Sequence, residues 1–340
     1  MIRLAPQPMD TVDDMRHALQ KAIELELSTL PPYLYAVFSI EEGANEAARS
    51  RIGAIVLEEM THMALACNIL NAIGGRPVLA QASVVPAYPG PLPYDIGGDD
   101  GEPFLVSLLP FSKKAMAQAI HIEEPEDPIK FSAGLELAPT FQTIGEFYAA
   151  LDKALGTLPP EVWAAPAGSQ VTDHPFFAGD LFPVVDYASA STAISRIVSE
   201  GEGTTKSPLD FEGDLAHYYR FEEIRRDRVL QKDAGKPEGF SWGPPLGVDW
   251  DGVLPVIKDP AEHDFAGDPA AQAAQDECDR AFTVLLQELE RAVTGEPGRM
   301  GNAVRAMFDL RMAARVAVRT PLKGSKKSAG PAFRFRPELV

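Results

Sequence analysis

The run Ile55-Val56-Leu57-Glu58-Glu59-Met60-Thr61-His62-Met63-Ala64-Leu65-Ala66 constrains this chain more than any other stretch. It is strongly helical in character. Counting threes and fours puts Ile52, Ile55, Val56, Glu59, His62, Met63, Ala66, Ile69, Leu70 and Ile73 on one face. A carboxylate and an imidazole therefore stand inside an apolar stripe. At i and i+3 they project the same way from neighbouring turns. Helix bundles use this spacing to present Glu and His to a metal from a single helix. Glu58 shares a different face with Arg51, Ala54, Thr61 and Leu65, and reads as a flanking residue behind the first pair.

Other helices repeat the pattern. Residues 10–30 read as a first helix, with Asp10 or Thr11 as cap and Asp13 and Asp14 in a first turn that the helix dipole favours. Its stripe runs Leu19, Ala22, Ile23, Glu26, Leu30, so Glu26 lies inside it. Pro31-Pro32 predicts a kink beside Glu26, or a fresh helix capped by Thr29. The second helix spans Asn45–Ile73 and stops at Gly74-Gly75. A third, Tyr187–Glu202, turns Ala190, Ala193, Ile194, Ile197 and Val198 inward. Its pattern continues equally well to Glu200 and to Glu202, and acid at a helix C-terminus opposes the dipole and needs a reason. A fourth, Asp210–Lys232, aligns His217 with Phe221 and Ile224 and places Asp214 three residues earlier. Glu222 and Glu223 read there as outer-face partners of Arg220, Arg225 and Arg226.

Between these helices, residues 76–188 turn proline-rich, with Gly97-Gly98-Asp99-Asp100-Gly101 as a turn signal. Short helices are expected at Phe111–Ile122 and Thr143–Leu155, and short strands near Phe104–Leu109. So long an excursion reads as a pocket wall or lid; His174-Pro175-Phe176-Phe177 either lines such a pocket or packs the loop onto the bundle. Residues 234–267 read as a wrapping segment. Helices Ala270–Val293 and Asn302–Arg319 follow, packed on the bundle or forming a subunit interface in a homo-oligomer. The tail with Lys323, Lys326 and Lys327 reads as mobile.

Bulk properties narrow the function classes. A net charge of −18 argues against binding nucleic-acid backbones or anionic membranes. No apolar run is expected to span a bilayer, and Met-Ile-Arg-Leu-Ala-Pro has no signal-peptide pattern. Cys67 and Cys278 fall in helical patterns as small buried hydrophobes, reduced in a cytoplasmic protein.

Four helices thus each offer an acid or imidazole to one core. Burying one unpaired carboxylate costs several kcal/mol, and several of them also repel one another. One or two divalent ions remove both problems. Mixed oxygen and nitrogen donors without thiolates suit iron or manganese rather than structural zinc.

Ala22-Ile23-Glu24-Leu25-Glu26-Leu27-Ser28-Thr29-Leu30-Pro31-Pro32-Tyr33-Leu34-Tyr35, Glu59-Met60-Thr61-His62-Met63, Gly201-Glu202-Gly203 and His217-Tyr218-Tyr219-Arg220-Phe221-Glu222 resemble the ferritin-like domain family named for iminophenyl-pyruvate dimer synthase. The resemblance covers roughly residues 10–230. It implies an all-α, ferritin-like four-helix bundle, favours Glu202 over Glu200, and points to secondary metabolism. Asp214 stands where a second Glu-x-x-His motif would carry Glu, so a fully symmetric di-metal site is not implied.

The expectation is a bundle over 1–240 with an insertion at about 76–188, and a wrapping segment with two added helices over 241–340 on the same domain. Glu26, Glu59, His62, Glu202 and His217 are the expected ligands, with Glu200 and Asp214 as further candidates and Tyr33 and Tyr218 near the pocket. One or two iron or manganese ions would serve an oxidoreductase acting on a small, amino-acid-derived metabolite. The other class is a metal-binding or assembly module that partners a separate enzyme. The inserts and added helices argue against an iron-storage cage.

Overall fold

Two long helices form the frame on which everything else is laid. The computed structural model describes residues 9–98, 102–125, 143–163, 169–172, 174–177, 179–204 and 207–340. The N-terminal Met-Ile-Arg-Leu-Ala-Pro and the Asp99-Asp100-Gly101 part of the expected turn lie outside them.

Helix α1 spans Val12–Ser39 and α2 spans Glu46–Ala72. Thr11 caps α1: its hydroxyl accepts from Asp14 N at 3.2 Å while the Asp14 carboxylate accepts from Thr11 N at 2.9 Å. The paired prolines do not end α1, which runs through both. Pro32 has no N–H for the carbonyl of Ser28, and that oxygen accepts the Tyr88 hydroxyl instead, at 2.8 Å. By length and mean hydropathy α2 could cross a bilayer, but 72% of that window is buried inside the fold, which accounts for its apolar character.

Against this hairpin pack α3 (Lys113–Ile122) and α4 (Ile144–Leu155) along α1, and α5 (Tyr187–Glu202) and α6 (His217–Arg226) along α2. Helix α3 also meets α6, and α4 meets α5. Two positions of the four-helix bundle are therefore each filled by two short helices, and the proline-rich stretch supplies bundle walls. Side-chain caps make such short helices viable: Ser112 for α3, a Thr143–Glu146 capping box for α4, and Asp186 with Ser189 for α5.

The fourth helix is shorter than its pattern suggests. It starts at His217, because the Asp210 carboxylate accepts from the backbone N–H groups of Glu212, Gly213 and Asp214 and holds them in a turn. It ends at Asp227, which adopts φ +52° and accepts from Gly247 N and Val248 N. Leu230–Lys232 is then a strand, β3, paired antiparallel with β4 (Phe240–Trp242). A two-residue pair, β1 (Gly90–Pro91) and β2 (Leu105–Val106), is the other sheet among the described residues.

Helices α7 (Pro269–Val293) and α8 (Met300–Ala317) pack on each other and lie against α2 and α1. Their apolar residues join the same core as Leu19, Ile52 and Phe221. The C-terminal segment does not hang free. Phe333 is buried edge-on against Phe282, and Arg334 N and Arg336 N donate to Asp279 and Thr283 of α7. Burial of one Phe, worth roughly 2–3 kcal/mol, outweighs the lysines that suggested a mobile tail.

Candidate metal centre

The inward faces of α1 and α2 meet the ends of α3 and α6 in a buried polar core. Glu26, Glu59 and His62 each bring a ligand-capable atom within 4.8 Å of the others, and Glu59, Glu123 and His217 do the same. Glu59 belongs to both groups. None of the five residues is more than 5% exposed. His62 Nδ1 lies 3.6 Å from Glu59 Oε1 and 3.8 Å from Glu26 Oε2. His217 Nδ1 lies 2.8 Å from Glu59 Oε1 and 3.6 Å from Glu123 Oε2. The two imidazoles stand nearly parallel, with centroids 5.5 Å apart.

Each ring turns its other nitrogen outward to a carboxylate. His62 Nε2 donates to Glu200 Oε2 at 2.8 Å, and Glu200 is held by Arg196 Nε at 2.6 Å. His217 Nε2 donates to Glu58 Oε2 at 2.8 Å, and both Glu58 oxygens accept from Arg220 Nη1 at 2.8 Å. A carboxylate acceptor fixes the proton on Nε2 and leaves Nδ1 as the basic nitrogen facing Glu59, the arrangement that orients histidine ligands. Hydroxyls hold the inner acids: Tyr148 donates to Glu26, Tyr33 to Glu123 at 2.5 Å, and Thr29 to Glu59 at 2.7 Å.

The electrostatics show a demand for positive charge among these acids. Burial, followed by the charge of Glu59, pushes the carboxyls of Glu26 and Glu123 upward. Burial also opposes ionisation of Glu59, but the imidazoles of His217 and His62, 2.8 and 3.6 Å from its Oε1, outweigh it and hold its carboxyl below the ordinary range. Burial disfavours imidazolium, yet Glu200 and Glu59 raise His62 to about 10. His217 is raised in the same way by Glu123, Glu58 and Glu59. Positive charge on the imidazoles offsets part of the negative charge of the acids.

Metal ions fit the same place. His217 Nδ1 is buried without a hydrogen-bond partner, its 2.8 Å neighbour Glu59 Oε1 lying out of line. Leaving such an atom unpaired costs on the order of 1–3 kcal/mol. The donor set is three carboxylates and two imidazoles with one carboxylate shared. Such a set could hold divalent metal ions, and the thiols of Cys67 and Cys278 are not part of it.

The structure thus gathers Glu26, Glu59, His62 and His217, and leaves others outside. Glu200 sits behind His62. Glu202, which the resemblance favoured, accepts Gly145 N at 2.7 Å and caps the first turn of α4. A Cβ at Gly145 would meet that carboxylate at 2.5 Å, so a side chain there would push the Glu202 carboxylate aside. Asp214 is exposed in the turn before α6, where helical spacing to His217 does not apply. Tyr33 reaches the centre through Glu123, whereas Tyr218 packs edge-on against Tyr219 in a separate small cluster with Ala216 and Leu230. Glu222 pairs with Arg225 and Arg226, but Glu223 turns inward to Arg51 and Leu230 N.

Glu123 was missed by the reading of the sequence. It is the C-cap of α3, four residues after buried Ala119, and it extends the Ala115–Ala119 stripe by one step. That step, and an acid at a helix C-terminus, were the available signals.

Over residues 19–226 the chain matches the ferritin-like family. It is 24% identical over 323 residues to the 2-imino-3-(indol-3-yl)propanoate dimerase of Chromobacterium violaceum, covering 83% of this chain and 28% of that protein. It is 22% identical over 398 residues to the dichlorochromopyrrolate synthase of Lentzea aerocolonigenes, covering 96% of this chain and 36% of that protein. The chain therefore spans about a third of the length of these relatives. A crystal structure of a ferritin-like protein from Caulobacter vibrioides superposes with a TM-score of 0.59 at 24% identity, over 91% of this chain and 99% of that one. The family match extends from Leu19 in α1 to Arg226 at the end of α6 and takes in all five residues of the centre, so the chain belongs to the ferritin-like family.

Proposed function

We propose that this protein is a metal-dependent oxidoreductase whose centre takes two iron or manganese ions, acting on a small, amino-acid-derived metabolite. The observation that carries the reading is Glu59, shared between two carboxylate–imidazole groups, with a buried His217 Nδ1 that no protein group satisfies. Glu26 with His62 would hold one ion, Glu123 with His217 the other, and Glu59 would bridge them. Such ions, when bound, supply redox equivalents and a Lewis acid beside the substrate. The chain's own residues do the positioning. Glu200 and Glu58 keep Nδ1 of each imidazole aimed inward, while Tyr148, Tyr33 and Thr29 hold the inner acids in place. The walls of α1 and α2 exclude water, which strengthens every electrostatic contact inside. The substrate class follows from the name of the Chromobacterium relative, an indolyl imino-acid dimerase.

A second reading is favoured by one observation: the relatives are about three times longer than this chain. In it the bundle is a metal-binding module that assembles with a separate enzyme. Plasma mass spectrometry of the protein after anaerobic Fe(II) loading, combined with oxygen-consumption assays on imino- and amino-acid substrates, tests both. Two equivalents of metal with turnover, lost together in Glu59→Ala, support the oxidoreductase. Metal without turnover on any substrate supports the module, and no metal sinks both.

A further inference from the structure

On the far side of the α1–α2 hairpin from the metal centre, α7 and α8 enclose a cavity of about 540 Å³. That volume lies within the range of small-molecule sites. Its two ends differ in chemistry. At one end Leu27, Cys67, Leu286, Val293 and Met300 form a fully buried, apolar wall. At the other, where α1 turns into α2, the lining is Glu42, Glu46, Arg49, Arg311, Arg315 and Arg319. From Leu27 to the end of α1 at Ser39 the helical rise gives roughly 18 Å, and from Met300 to Arg315 along α8 roughly 22 Å. The cavity is therefore elongated, closed and oily at one end, and charged at its mouth.

The mouth carries an excess of positive charge in a chain whose net charge is −18. Four arginines face two glutamates there. Arg315 and Arg319 both lean on the exposed Glu42, at 3.3 and 3.7 Å, and Arg49 is occupied by the carbonyls that end α1. Burial, and then the nearby charges of Arg311 and Arg315, press the Arg49 guanidinium below its usual range despite Glu46 and Glu42. An anion at this point would meet unspent cationic charge.

We propose that this cavity binds a free long-chain carboxylate, its alkyl tail running toward Leu286 and Met300 and its head group against Arg311 and Arg315. An elongated apolar slot suits an unbranched chain, and methionines at 60, 63, 300 and 307 give the wall adaptable side chains. The charge at the mouth selects an acid over an alcohol. The site is separate from the metal centre and does not depend on its occupancy.

Isothermal titration calorimetry of the full chain with sodium dodecanoate, below its micellar concentration, tests this. Saturable binding of one molecule per chain is expected. It should weaken about tenfold or more in the surface variant Arg311→Glu/Arg315→Glu, because a charge-assisted contact becomes repulsion. The neutral 1-dodecanol should bind weaker than dodecanoate by a similar factor. Ala64→Phe, which intrudes on the middle of the slot, should abolish binding while thermal melting shows that the variant folds. Absence of saturable binding, or equal binding of alcohol and acid, overturns the proposal. So does a dimer in sedimentation that the arginine variant dissociates, since the mouth would then be covered by a second copy. Glu59→Ala should leave dodecanoate binding intact, so failure here is distinguishable from failure of the metal reading.

Discussion

The two halves of the centre contain the same kinds of parts drawn from different kinds of structure. One half is Glu26, His62, Tyr148, Glu200 and Arg196; the other is Glu123, His217, Tyr33, Glu58 and Arg220. In the first, both inner ligands come from the middle of long helices. In the second, Glu123 is the C-cap just past a ten-residue helix and His217 the first residue of another. Their outer acids differ too: the Glu200 side chain is 6% exposed and Glu58 27%. Equal chemistry with unequal support predicts unequal tolerance. The half built on helix ends should be the weaker and more adjustable one.

The largest effect belongs to the residue that both halves share. Glu59→Ala should remove both ions from the loaded protein, measured as metal equivalents by plasma mass spectrometry. Retention of two equivalents would dissolve the shared-ligand picture. Below that, His62→Ala and His217→Ala should each halve the metal content. The comparison sharpens if the ion that survives in His217→Ala is bound more tightly than the one left in His62→Ala. Identical residual affinities would mean that helix-end placement costs nothing.

This inequality also decides what could be seen in the sequence. Glu26, Glu59, His62 and His217 stand in apolar stripes several turns long, where periodicity resolves a face. Glu123 follows a stripe of little more than one turn in a proline-rich stretch, where the same counting has little to count. Glu200 and Glu202 flank a helix end, and the choice between them is made by Gly145 and His62, which approach from other elements. The long helices were legible for the same reason as their ligands. The start of α6 was not, because the Asp210 turn competes with a helix that the apolar spacing alone would permit. The passage of α1 through Pro31-Pro32 depends on Tyr88, sixty residues away in sequence.

The outer acids give a finer contrast. Glu200→Gln and Glu58→Gln each keep the shape and lose the charge that fixes an imidazole, and such changes typically weaken metal affinity about 10–100-fold. Glu200 is the more buried and has Arg196 at 2.6 Å, so its variant leaves a less hydrated cation behind and should show the larger loss. Competition against a fluorescent chelator would measure both. A greater loss in Glu58→Gln would reverse the ranking of the halves.

The smallest effect on the centre, expected to be none, comes from a buried acid outside it. Asp279 of α7 accepts from Gln275 and from Arg334 N, but its Oδ2 has no partner, and burial lifts its carboxyl to about 6 despite Arg334. A folded-state value above the ordinary carboxylate value of 3.8 favours the protonated form in the native protein. The associated stability is fully present below about pH 4 and is lost as pH rises through about 6. Two units correspond to at most about 3 kcal/mol. Asp279→Asn does not titrate, keeps an acceptor for Arg334 N, and replaces the unpartnered Oδ2 by an uncharged amide. It should match the parent protein in denaturant melts near pH 4 and exceed it near pH 7, with metal content unchanged. This isolates what a buried carboxylate costs when no cation is provided for it. If the variant gains nothing between pH 4 and 7, burial alone is tolerated more cheaply than the centre's design implies, and the need for metal at Glu59 would have to rest on the convergence of three acids rather than on the burial of each.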